Sequence, residues 1–110
     1  MGAEASSLMA KYFKKMKQDP AMARDVQGQK KLFKKIFNAL DKDGNGFIEG
    51  RELSGLTKGL SKSVEEVRKT PLSESEMRSI LKVADRNNDG RIDFDEFCGM
   101  MFSVSSVIIQ

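Results

Sequence analysis

Histidine and tryptophan are absent from the 110 residues, and cysteine occurs once, at Cys98. Without histidine there is no Ser-His or Cys-His nucleophile pair, no imidazole general base and no His-based zinc site. A single cysteine cannot form an internal disulfide, which fits a reducing compartment and sets cytoplasmic as the expected location. With no histidine beside it, Cys98 reads as a small packing residue. No apolar run approaches the roughly 20 residues needed to span a bilayer. The start, MGAEASSLMAKYFKK, lacks the basic n-region and apolar h-region of a secretory signal.

The length suits one compact domain, and 39% hydrophobic with 32% charged residues is an ordinary globular composition. The net charge of +3 hides an asymmetry. Residues 1–40 hold nine Lys/Arg against Glu4, Asp19 and Asp25, or +6, while residues 41–110 hold ten against thirteen acids, or −3. A basic arm is joined to an acidic body, so the two parts are expected to do different jobs.

The strongest feature is an internal repeat. The segment from Asp41 to Glu52 aligns without a gap with the segment from Asp85 to Glu96. Apolar stripes at helical spacing flank both: Leu32, Phe33, Ile36, Phe37 and Leu40 before the first, Met77, Ile80, Leu81 and Ala84 before the second. Leu53, Leu56 and Leu60 follow the first, and Phe97, Met100 and Met101 the second. The pattern is helix–loop–helix, twice. Ser73 and Glu76 form a capping box, with Leu72 and Met77 as its hydrophobic staple. Between the loops, Gly55 and Gly59 weaken the outgoing helix, which is expected to end between Leu60 and Lys69, and 61–71 reads as a charged linker. Asp19-Pro20 should end an N-terminal helix over 5–18, and Gly28 should mark the break before the next.

Calcium takes six to eight oxygens in a flexible shell, and a twelve-residue loop supplies them from positions 1, 3, 5, 7, 9 and 12. The first loop offers Asp41, Asp43, Asn45, the Phe47 carbonyl, Glu49 and bidentate Glu52. The second offers Asp85, Asn87, Asp89, the Arg91 carbonyl, Asp93 through a water, and bidentate Glu96. Position 6 must turn through positive φ, and glycine stands there in both, Gly46 and Gly90. Position 8 carries Ile48 and Ile92, branched residues suited to a short β-pairing between the loops. An Asp/Asn/Gly-rich run is commonly only a turn. Two gapless matches with the same glycine, isoleucine and glutamate are not. Two calcium ions are expected, with magnesium as a competitor, because four carboxylates per loop leave a negative surplus.

Residues 31–101 resemble the EF-hand superfamily, in particular a lobe of calmodulin or troponin C. The resemblance implies an all-α, paired EF-hand fold whose apolar groove opens on calcium binding. The hexapeptide MGAEAS is similar to the start of calcineurin B, a myristoylated EF-hand subunit, although that protein has four hands. The expected division is a basic amphipathic arm over 1–28, the paired domain over 29–103 and a tail over 104–110. The expected core includes Phe33, Phe37, Leu40, Ile48, Leu53, Leu56, Ile80, Leu81, Ile92, Phe97 and Met100.

The arm has two open readings. Gly2 and Ser6 fit the N-myristoylation pattern, and Lys11, Lys14, Lys15 and Lys17 supply the basic second signal that membrane attachment needs. Against this, the stripe Leu8, Met9, Tyr12, Phe13 and Met16 is what a helix needs to pack on the EF pair, much as a third helical pair covers the two hands of parvalbumin. Nucleic acid is not an expected partner, since there is no Arg cluster or Gly-rich RNA motif. Nor is an enzyme, since no paired carboxylate or nucleophile lies outside the two loops. A calcium sensor presenting a groove to a target helix is the preferred function, with a calcium buffer whose arm packs on the pair as the alternative.

Overall fold

The structure is a computed structural model, and it describes residues 3–85 and 90–109. Helix α1 (Ala3–Gln18) ends where Asp19 turns extended ahead of proline, as expected, and a 3-10 turn, Pro20–Arg24, follows. Helix α2 (Val26–Leu40) enters the first loop, strand β1 (Ile48–Glu49) leaves it, and α3 (Arg51–Arg68) follows. Helix α4 (Glu74–Ala84), strand β2 (Arg91–Ile92) and helix α5 (Phe94–Ile109) complete the chain. The strands are antiparallel, with Ile48 opposite Ile92 and Glu49 opposite Arg91. The fold is all-α with paired EF-hands, and the isoleucine pairing joins the two loops.

The break before α2 falls earlier than Gly28. Asp25 caps α2, its Oδ1 accepting from the Gly28 amide at 3.0 Å. A Cβ on Gly28 would collide with the Asp25 carboxylate. The glycine sits inside the first turn because the cap needs the space, and the turn at 20–24 makes the break.

Helix α3 ends at Arg68, inside the range expected for it, but most of the stretch 61–71 expected as a linker is helix. Residues 61–68 are helical, and the link to α4 shrinks to five residues, 69–73. Leu60, Val64 and Val67, spaced i, i+4, i+7, are buried there because α1 lies against that stretch of α3. Gly59, which costs helix propensity, faces α1 there, and an added Cβ would stand at ordinary contact distance, 3.6 Å from Met9 Sδ and 3.8 Å from Ser6 Cβ. Lys69 then closes α3 in the left-handed conformation, φ 71°. Arg68 braces the link, its guanidinium reaching both Glu76 carboxylate oxygens at 3.0 and 3.1 Å and the Pro71 carbonyl at 2.8 Å. The capping box of Ser73 and Glu76 is present, and Leu72 and Met77 both pack against the core. The Arg68 hydrogen bonds, with the Ser73 amide, hold the Glu76 carboxyl down at about 2.

The core is one cluster, and α1 is part of it. Met9, Tyr12, Phe13 and Met16 are 0–2% exposed. At about 1.5–3 kcal/mol per large apolar side chain, these four contribute roughly 6–12 kcal/mol of gross burial. Tyr12 and Phe102 flank the Phe33 ring at 5.0 and 5.3 Å between centroids, edge to face. A buried polar chain adds direction. The Tyr12 hydroxyl donates to Gln29 Oε1 at 2.6 Å and lies 2.9 Å from Ser105 Oγ, while the Gln29 amide donates to the Met22 carbonyl at 3.1 Å. This ties α1 to α2, α5 and the 3-10 turn. Burial pushes the Tyr12 phenol up, and the Ser105 hydrogen bond offsets part of that. Of the expected core, Leu53 and Leu81 are only half-buried. The stretch expected as a tail continues α5 to Ile109, with Val104 and Ile108 buried.

Candidate metal centre

The C-terminus of α2 delivers Asp41, and the first turn of α3 delivers Glu52. Between them the loop turns through positive φ at Gly44 (68°) and Gly46 (88°), a conformation that glycine adopts without strain. The Gly46 amide donates to Asp41 Oδ2 at 2.9 Å. The Glu49 and Asp43 amides donate to Glu52 Oε1 and Oε2 at 3.1 and 3.2 Å, so two backbone amides aim the carboxylate inward. One ligand atom each from Asp41, Asp43 and Glu52 falls within 4.8 Å of the others. Asp41 is only 8% exposed, and its Oδ1 is buried without a hydrogen-bond partner. A buried anionic oxygen left unpaired is costly. A cation at the centre of the three carboxylates satisfies it, so the donor set fits a hard divalent ion.

The other residues expected at this loop stand differently. Asn45 and Glu49 are bonded to each other, Nδ2 to Oε1 at 2.6 Å, and the second Glu49 oxygen is 3.0 Å from Arg91 Nε. Phe47 is half-buried, and the Arg91 guanidinium lies over its ring, 5.5 Å from the centroid. The sequence reading credited Arg91 with a carbonyl alone. Its side chain was findable, because antiparallel pairing of the loops puts Arg91 opposite Glu49, an opposite-charge cross-strand pair.

Where it is described, the second loop makes two of the contacts of the first. The Gly90 amide, at φ 77°, donates to Asp85 Oδ2 at 3.0 Å, matching Gly46 and Asp41. The Asp93 amide donates to Glu96 Oε1 at 3.1 Å, matching Glu49 and Glu52. Asp93 Oδ1 in turn accepts the Glu96 amide at 2.8 Å, so this carboxylate caps α5. Asn87 and Asp89 lie outside the described residues, as does Gly2. Cys98, behind this loop, is buried, and that burial pushes its thiol up. A thiol held protonated is a poor nucleophile, as expected of a packing residue.

Two helix–loop–helix units joined by a β-bridge, each with an aspartate at position 1 and a glutamate at position 12 held by loop amides, define an EF-hand pair. The EF-hand domain pair family matches residues 29–102. The chain belongs to the EF-hand family, and calcium binding comes with that membership. It is 36% identical over 74 residues to calmodulin-like protein 6 of Oryza sativa subsp. japonica, covering 67% of this chain and 39% of that protein. It is 40% identical over 68 residues to parvalbumin alpha of Triakis semifasciata, covering 62% and 58%. Muscle parvalbumin of Gallus gallus gives the same identity and coverage. The chain thus spans between 39% and 58% of the length of these relatives. No solved structure matches it significantly.

Proposed function

We propose that this protein is a calcium buffer: it takes two calcium ions, in the loops 41–52 and 85–96, while its own N-terminal helix keeps the first hand's groove filled. The ligands are Asp41, Asp43, Asn45, the Phe47 carbonyl, Glu49 and Glu52 in one loop, with Asp85, Asn87, Asp89, the Arg91 carbonyl, Asp93 and Glu96 in the other. Calcium supplies no reaction here, and the protein acts by binding rather than catalysis. Asp41, Asp43 and Glu52 would hold the first ion through their clustered carboxylates. Glu49 would join them only by giving up its present contacts with Asn45 and Arg91.

The observation that carries the buffer over the sensor is the burial of Met9, Tyr12, Phe13 and Met16 against α2, α3 and α5. A sensor gains its target surface by exposing a groove, and here that groove is occupied from within the chain. The same burial argues against insertion of the α1 stripe into a membrane, since one set of side chains cannot face both. The relatives named parvalbumin point the same way, that protein being a cytosolic buffer, and a cytoplasmic site of action completes the reading.

The sensor reading keeps one specific support. Between α4 and α5 a cleft of about 320 Å³ stays open, with Ile80, Val83 and Val107 as its apolar lining beside serines and Glu76. Titrating calcium into the full-length chain with an apolar-surface dye, over a magnesium background, separates the two. Binding of two ions without a rise in fluorescence is expected. A saturable rise would sink the buffer and favour the sensor. Magnesium should compete, weakening apparent calcium affinity as its concentration rises.

A further inference from the structure

A second cleft, of about 380 Å³, lies between α1, the 3-10 turn and α2. Lys15 contributes to it from α1, and Lys31 and Lys35 from α2. Met22 and Leu32 add apolar surface, and Asp25 is the one acid in its lining. That carboxylate is committed to capping α2 through the Gly28 amide at 3.0 Å. Helix α2 has no acidic residue, and Lys31 and Lys35 stand at i, i+4, a like-charge spacing that weakens a helix. Among the described residues none of these three lysines is in an ion pair, whereas Lys14 on the neighbouring face of α1 reaches Glu66 at 3.5 Å.

Three ammonium groups are therefore collected around one concavity with almost no protein counter-charge. This arrangement costs folding energy and serves no packing role, because all three side chains are exposed. The volume falls within the range of small-molecule sites. Lysine binds phosphate as a compact point charge without a fixed fork geometry, and three lysines around one cleft favour an anion that carries several charges. The partly apolar lining suits a carbon ring or glycerol carried between phosphates.

We propose that the cleft between α1 and α2 binds a multiply phosphorylated anion about the size of an inositol phosphate, with Lys15, Lys31 and Lys35 as its cationic ligands. The chemistry is shared by a soluble inositol phosphate and by the headgroup of a phosphorylated phospholipid. The site is independent of the calcium loops, and it uses the lysine face of α1 without unpacking the apolar one.

The test uses the full-length protein in calcium chelator, so that the outcome does not depend on the metal sites. Inositol trisphosphate is titrated calorimetrically, and phosphatidylcholine vesicles with and without a bisphosphorylated phosphatidylinositol are sedimented with the protein. Replacing Lys15, Lys31 and Lys35 together by Glu, and in a milder variant by Gln, should weaken binding. At about 1 kcal/mol per lysine near an anionic surface, the loss is on the order of a hundredfold. The matched control replaces the exposed Lys58, Lys62 and Lys82 by Glu, giving the same net charge away from the cleft, and should bind as the parent does. Helical circular dichroism and the thermal midpoint check that the Gln variant is folded. Binding of both probes supports a site open to the soluble anion, and binding of vesicles alone supports a lipid headgroup. Equal loss in the control, or no binding of either probe by the parent, overturns the proposal.

Discussion

The two hands share one motif and live in different surroundings. The first, α2 and α3, is covered by α1, which lies along α3 and reaches across to α5. In the second, α4 and α5, only α5 is held by α1 in this way: α4 packs chiefly on α5, Val83 is 44% exposed, and a cleft stays open between the two helices. The described parts of the loops share two contacts, the glycine amide on the first aspartate and the position-9 amide on the last glutamate. The motif fixes the ion-binding turn. What the flanking helices do with their apolar faces depends on the rest of the chain.

The largest effect should come from splitting the loops. Glu52→Gln removes one charge at a carboxylate held by two amides and should eliminate one of two calcium-binding events in calorimetry. Glu96→Gln should eliminate the other, and the double variant both. Retained tight binding in the double variant would refute the ligand assignment. Next in size, Phe13→Ala opens a cavity where α1 meets the first hand and should cost about 3–5 kcal/mol in urea unfolding. Val83→Ser, on the open second hand, should stay within about 0.5 kcal/mol. Equal losses from the two would dissolve the contrast between a covered and a partly open hand.

Gly59 sharpens the contrast further. Its neighbours on α1 stand at ordinary contact distance from an added Cβ, so Gly59→Ala should be neutral or stabilising by about 0.5–1 kcal/mol through helix propensity. Gly59→Leu overfills the same seam and should cost about 1–3 kcal/mol. The smallest effect is electrostatic. Glu76 is held at about 2 chiefly by Arg68, below its unfolded value of about 4.3. A depressed carboxyl contributes stability that is present above the unfolded pKa and lost as pH falls through the folded one. Removing the partner with Arg68→Ala should therefore raise the Glu76 titration midpoint, followed by NMR. It should also flatten the fall in stability between about pH 4.5 and 2. The partly exposed setting of the Arg68–Glu76 pair keeps this change small.

The loops were legible because everything that makes them is local. Twelve residues carry the ligand types, the glycine that turns the chain and the isoleucine that pairs, so spacing alone locates Asp41, Glu52, Asp85 and Glu96 and the register of Ile48 with Ile92. The capping box at Ser73 was legible for the same reason. Gly28 was misplaced because a glycine between helices usually signals a break, and only the Asp25 carboxylate packed against it explains a glycine inside the first turn. Arg68 was hidden in a charged run, its role depending on a bidentate contact eight residues on that ends α3 and starts α4 together.

The sequence by itself determined the two EF-hand loops, the all-α class, the pairing of the hands and the amphipathic character of α1, because each rests on short-range periodicity and stereochemistry. The tertiary structure alone decided which surface the apolar face of α1 covers. It also decided how far α3 and α5 run, that Tyr12 joins Gln29 and Ser105, and that Lys15 meets Lys31 and Lys35 around one cleft. An apolar stripe specifies that it must be buried but not against what, and that choice is made by shape and polar partners brought together from 17 to 93 residues apart.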